Sequence, residues 1–188
     1  DKNSEVYAVN NRTENTIQVS QRLMDMLEYT LKISKNTEGA FDISIYPVLR
    51  AWGFTTSNYY IPSQEEITEL LKKTGYNKIQ IENSENKVTL QEGMEIDFGG
   101  IAKGYSGDEA IQVLKECGVN SAILSLGGNI QALGSKPDGS AWNIAVKNPD
   151  NTDSYMGILQ IRNKAVVTSG GYERFFKGDN GEIYWHIL

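Results

Sequence analysis

Helical periodicity fills the first half of this 188-residue chain and short strand-like runs fill the second, with no strand–helix–strand alternation between them. That ordering excludes a parallel sheet built from βαβ units. It predicts an α+β fold, a largely antiparallel mixed sheet packed with helices, helix-rich first and strand-rich second. Ser20 followed by Leu23, Met26, Leu27, Leu31 and Ser34 predicts a helix capped by Ser20 and ending near Gly39. Ser63 and Glu66 form a capping-box pattern leading into Ile67, Leu70 and Leu71, with Gly75 as the expected stop. A third helix is expected over about 102–117, with Cys117 as a buried small apolar side chain. Residues 76–82 and 87–91 alternate around a turn and read as a hairpin. Runs at 121–126, 142–146, 156–161, 165–168, 172–176 and 183–188 read as strands. Residues 39–54 have no clean period and suggest packed loop with a short helix. With no repeat or flexible linker, residues 1–188 read as one catalytic domain.

Charge narrows the partners. Lys and Arg number 18 against 24 Asp and Glu, for a net charge of −6. Nucleic acid is therefore not an expected partner, because phosphate binding needs clustered basic residues. The apolar fraction of 39% and charged fraction of 22% fit a folded globular chain and exclude disorder. No apolar stretch approaches the ~20 residues of a membrane helix. A single cysteine cannot form an internal disulfide. The chain opens at Asp1 and closes at Leu188 inside an apolar run, so the reading expects a piece of a longer protein, truncated at both ends.

Glycine carries the chemical signal. It clusters in Asp97-Phe-Gly-Gly-Ile-Ala-Lys-Gly-Tyr105, in Leu126-Gly-Gly-Asn129 and in Thr168-Ser-Gly-Gly-Tyr172. Each cluster sits where a strand-like run meets a turn or helix, and glycine there allows positive φ or close backbone approach to a ligand. The first cluster joins a strand ending in Asp97, two glycines and a helix start bearing Lys103. Free N–H groups, a helix N-terminus and a cation at one point suit a phosphate or pyrophosphate. Neither the G-x-G-x-x-G nor the G-x-x-x-x-G-K-[ST] pattern is met. Ordinary turns are the other reading of each cluster.

These residues resemble the ApbE family of FAD:protein FMN transferases. The central signature is Asp97 to Tyr105 followed by Asp108. Upstream, Gly39-Ala-Phe-Asp42, Pro47 and Trp52-Gly-Phe54 are similar to a family block, as are Ser4-Glu-Val and Asn10 near the front. Downstream, Leu126-Gly-Gly-Asn129, Trp142, Pro149, Thr168-Ser-Gly170, Tyr172-Glu-Arg-Phe175 and Tyr184-Trp-His-Ile-Leu188 follow in order. The resemblance implies transfer of the FMN half of FAD to a threonine hydroxyl of an acceptor protein, with magnesium and release of AMP. It implies FAD contacts at Ala40, Phe41, Asp42, Asp97, Lys103 and Ile187, a metal-holding carbonyl at Gly100, and His186 as the catalytic base. It also implies an extracytoplasmic protein, lipid-anchored to the cell membrane through a segment outside this chain. The family continues past the His-Ile-Leu stretch with residues that complete the metal site, and those are expected beyond Leu188.

Other roles are open at several of these positions. Asp42 can equally cap the short helix after it. Phe41, Trp52 and Phe54 are core aromatics by default. Asp108 suits the positive end of the third helix. His186, the only imidazole in the chain, is the one side chain whose ordinary pKa lies near neutrality. Two further activities fit the same residues: a magnesium-dependent FAD pyrophosphatase giving FMN and AMP, and a non-enzymatic FAD-binding protein.

Overall fold

The structure, a computed structural model, describes residues 1–151, 153–171 and 174–186. Two compact units divide the chain: Asp1–Gly100 with Phe176–Leu188, and Ile101–Phe175. The boundary falls inside the first glycine cluster.

In the first unit, α1 (Glu5–Asn10) starts at Ser4, whose side chain accepts the Tyr7 N–H. The sequence reading did not anticipate this helix. β1 (Thr16–Gln18) leads into α2 (Gln21–Asn36), capped as expected by Ser20, whose hydroxyl accepts the Leu23 N–H at 3.2 Å. The buried stripe of α2 is Leu23, Met24, Leu27, Thr30 and Ser34, so Met24 takes the place expected of Met26. A 3-10 turn (Ile43–Ile45) runs into α3 (Tyr46–Ala51). The capping box of α4 (Gln64–Leu71) forms in full between Ser63 and Glu66. That helix stops at Leu71 rather than at Gly75, which instead opens a second 3-10 turn (Tyr76–Lys78) with φ of 129°.

The expected hairpin is present as β2 (Gln80–Glu82) and β3 (Lys87–Thr89). β1 adds to its free edge, Ile17 opposite Val88, giving an antiparallel sheet in the order β1-β3-β2. Val9, Leu27, Val88, Leu90, Met94 and Ile96 are fully or almost fully buried and form the centre of this unit. Arg12 ties the chain around that centre, its guanidinium donating to the carbonyls of Val9, Leu90, Gln91 and Met94. Burial lowers its pKa, an effect opposed by the nearby charge of Glu95.

The second unit opens with α5 (Ala102–Glu116), within one residue of the expected span. β4 (Ala122–Leu126) and β5 (Asn129–Leu133) form a hairpin, Leu126 opposite Asn129, and β8 (Ala165–Val166) pairs with β5. The two-residue turn is Gly127-Gly128, both at positive φ (57° and 87°), the backbone that glycine tolerates in a tight hairpin. β6 (Trp142–Lys147) and β7 (Tyr155–Ile161) make a second antiparallel hairpin. Ala132, Ile144 and Ile161 form the core of this unit, flanked by Ile130, Trp142 and Val166. Cys117 corrects the sequence reading: it caps the end of α5 and is exposed, because the last turn of that helix presents this position to solvent.

β9 (Phe175–Lys177) and β10 (Ile183–Trp185) pair with each other. The α+β class is as expected, and among the described residues the strands fall into four small sheets. Among the described residues no helix is long and apolar enough to cross a membrane.

Candidate functional site

Thr37 ends α2, and its hydroxyl accepts the Phe41 N–H at 3.2 Å, which draws residues 38–41 into a tight exit loop. Ala40 is exposed, and Phe41 and Asp42 are half-buried. Asp42 is the N-cap of the 3-10 turn. Its Oδ1 accepts the Ser44 N–H at 2.8 Å and the Ser44 hydroxyl at 2.7 Å, and its Oδ2 accepts the Tyr76 N–H at 2.8 Å. Ser44, fully buried, takes the Gly75 N–H on the same hydroxyl oxygen. The carboxylate therefore staples two turns more than thirty residues apart, and both of its oxygens are engaged.

Residues 94–98 alternate as a strand should, with Met94, Ile96 and Phe98 buried between half-buried Glu95 and Asp97. They are not a strand, which corrects the expectation at Asp97. The Asn10 carboxamide replaces a neighbouring strand, accepting the Ile96 N–H and donating to the Ile96 carbonyl, both at 2.8 Å. Asp97 then donates its N–H to the carbonyl of Ile43 at 2.8 Å. Its Oδ2 accepts the Gly99 N–H at 2.8 Å, bending the chain into the glycine turn. At Gly100 a Cβ would stand 2.8 Å from Cε2 of Phe41. The first unit thus brings the residue 40–42 loop and the residue 97–100 turn together.

The same unit assembles an aromatic cluster from distant segments. Trp52 lies 5.1 Å from Tyr184, and Phe176 stacks on Tyr59 at 4.7 Å and on Tyr184 at 5.3 Å. Phe54 is buried against Tyr59 and Phe176 and meets the imidazole of His186 at 6.4 Å. His186 itself is half-buried just past β10. Ile187 lies outside the described residues.

In the second unit, Lys103 is exposed on the first turn of α5, its Nζ 3.5 Å from the carbonyl of Gly127. Ile101, the N-cap of α5, supplies no side-chain cap, so the first N–H groups of that helix lack that partner. Asp108 corrects another expectation: it sits exposed beyond the first turn, where the helix dipole has little hold on a carboxylate. Two buried polar residues were assigned no role of their own from the sequence. Asn129 and Gln131 alternate along β5 and are buried, and Gln131 donates to the carbonyl of Gly104 at 3.1 Å. A Cβ at Gly107 would stand 2.5 Å from that side chain. The polar alternation 129/131 was the available signal, hidden because the first glycine of the turn obscured where β5 begins.

Among the described residues no group of three or more His, Cys, Asp or Glu could hold a metal ion. With both oxygens of Asp42 engaged, the Gly100 carbonyl stands alone, and the described residues do not by themselves fit magnesium. Two surface depressions of the first unit lie elsewhere, one beside Ser63, Glu66 and Glu69, the other beside Arg12, Glu92 and Glu95. Neither includes Phe41, Asp97 or His186.

The fold is α+β, with the glycine turn beside Phe41 in the first unit and Lys103 at the start of α5 in the second. The chain belongs to the ApbE family, which it matches over residues 1–188. It is 27% identical over 176 residues to the FAD:protein FMN transferase of Escherichia coli K12, covering 90% of this chain and 50% of that protein. The FAD:protein FMN transferase of Treponema pallidum is 31% identical over 185 residues, 90% of this chain and 51% of that one. Among solved structures, the ApbE protein of Thermotoga maritima superposes with a TM-score of 0.94 at 34% identity, covering all of this chain and 61% of that chain. The apo flavinyl transferase ApbE of Pseudomonas stutzeri gives 0.84 at 30% identity, covering 99% and 58%. The chain spans about half the length of the curated relatives it matches.

Proposed function

We propose that this chain carries the flavin-handling part of an FAD:protein FMN transferase, which moves FMN from FAD to a threonine hydroxyl of an acceptor protein and releases AMP. The observation that carries the reading is the meeting of the residue 40–42 loop with the residue 97–100 turn, two stretches of the family signature far apart in sequence. Phe41 is the ring proposed to pack on an aromatic part of the ligand, and the Gly99-Gly100 turn is proposed to let it approach the backbone. Ala40, Asp42 and Ile187 are assigned to FAD on the resemblance alone. Lys103 supplies a cation at a helix start, suited to the diphosphate. His186 is the base that takes the proton from threonine as its oxygen attacks phosphorus. Gly100 is the one carbonyl proposed to reach a magnesium ion whose other ligands would lie outside the described residues; such an ion would supply charge neutralisation at the phosphates. The full-length protein is proposed to be lipid-anchored outside the cytoplasm.

The test is a gel assay of the full-length protein with FAD, magnesium and a threonine-bearing acceptor. Flavin fluorescence should migrate with the acceptor and be lost when its threonine is replaced by alanine. Free FMN and AMP without labelled acceptor would make the protein a pyrophosphatase, and bound but intact FAD would make it a carrier. FAD should also bind more tightly than FMN in calorimetry, since the pocket must hold the AMP half to release it.

A further inference from the structure

The assignment of His186 as the base leaves open what holds its ring, and the aromatic cluster supplies an answer that rests on that assignment. We propose that Phe54 is a positioning residue for His186, holding the imidazole in one orientation against its own ring. The local chain makes Phe54 rigid. Gly53 has φ of 79°, and a Cβ there would stand 2.0 Å from the carbonyl oxygen of Asn58, so only glycine fits this turn. The turn is closed by the Ser57 N–H on the Gly53 carbonyl at 2.9 Å and by the Tyr60 N–H on the Trp52 carbonyl at 3.3 Å. Phe54 then points inward, 4% exposed, with Tyr59 at 5.7 Å and Phe176 at 5.6 Å on its other sides.

His186 is placed differently. It follows the last residue of β10 and is half-buried. Its ring meets Phe54 at 66° and 6.4 Å, within the edge-to-face range that aromatic pairs favour. A general base works only when its nitrogen is held within hydrogen-bond reach of the proton it removes. A buried ring beside the half-buried imidazole supplies such a constraint across 132 residues of sequence.

His186 is the only histidine, so an NMR spectrum of the labelled chain holds one set of imidazole signals. The wild-type chain should show ring-to-ring NOEs between Phe54 and His186, and side-chain couplings of a single His186 rotamer. Phe54→Leu should lose the single rotamer, giving averaged couplings in a chain that is still folded, and Phe54→Tyr should keep it. Single-rotamer couplings in folded Phe54→Leu, or equal averaging in Phe54→Tyr, would overturn the proposal. Should Phe54→Leu fail to fold, Tyr59→Ala, which removes one of the rings packed against Phe54, should produce partial averaging; unchanged couplings there would overturn it too. The base assignment fails separately: a His186→Asn full-length protein that still labels its acceptor removes the base and leaves these couplings as they are.

Discussion

Phe41 lies over Gly100 so closely that a single added carbon at position 100 would stand 2.8 Å from its Cε2. Fifty-nine residues separate the two, and neither neighbours the other in any strand ladder. The contact exists because Asp97 donates to the Ile43 carbonyl, which draws the exit of α2 and the glycine turn side by side.

Gly100→Ala should displace the Phe41 ring rather than unfold the protein, since Phe41 is only half-buried. Fluorescence titration should show FAD affinity falling about tenfold, ~1.4 kcal/mol, with the melting temperature almost unchanged. A large melting shift with normal FAD affinity would assign the contact to stability alone.

Asp97→Asn keeps an oxygen to accept the Gly99 N–H, so the turn should survive while the charge is removed. FAD binding should weaken with little change in melting temperature. Should stability instead fall by ~1 kcal/mol with binding intact, Asp97 is only a cap.

The 188-residue chain should show no saturable magnesium binding by calorimetry in the absence of FAD. One carbonyl, from Gly100, does not hold magnesium against water, and the described residues offer no cluster of acidic ligands. Stoichiometric binding would place a site inside the chain, with Asp97 and Asp42 the first residues to replace.

Glu66 should make stability fall in acid. Its carboxylate accepts the Ser63 N–H at 2.7 Å and the Tyr60 hydroxyl at 2.9 Å, and these bonds hold its pKa below the usual carboxylate range. In the unfolded chain the group returns to about 4.3. A depressed folded pKa adds stability above that value, and the gain is lost as pH falls through the folded pKa. Urea midpoints measured from pH 6 to pH 3 should therefore drop more steeply for the wild-type chain than for Glu66→Gln.

Gly107→Ala should cost about 1–3 kcal/mol, because its new carbon meets the pinned, buried side chain of Gln131 at 2.5 Å. In a Gln131→Ala background the cost should shrink, and a double-mutant cycle in urea would read the coupling directly. Equal costs in both backgrounds would place the strain elsewhere on α5.

Features that depend on a few neighbouring residues were legible in the sequence. Ser20, Ser63 with Glu66, the span of α5 and the β2–β3 hairpin follow from capping and periodicity, which act within one or two turns of chain. So were the glycine turns at 99–100 and 127–128, and the ordered motifs that mark the ApbE family. Tertiary structure alone decided that an asparagine side chain, Asn10, stands in for a strand beside Ile96, and that the second oxygen of Asp42 reaches the Tyr76 N–H. It decided that Gln131 fills the notch at Gly107 and that Phe54 meets His186. Cys117 shows the same limit from the other side, since helical spacing assigned it to the core and the end of α5 left it in solvent. These relationships join residues 24 to 132 positions apart, and no local preference encodes them. They are settled when buried polar groups must find partners and side chains must share one packed volume.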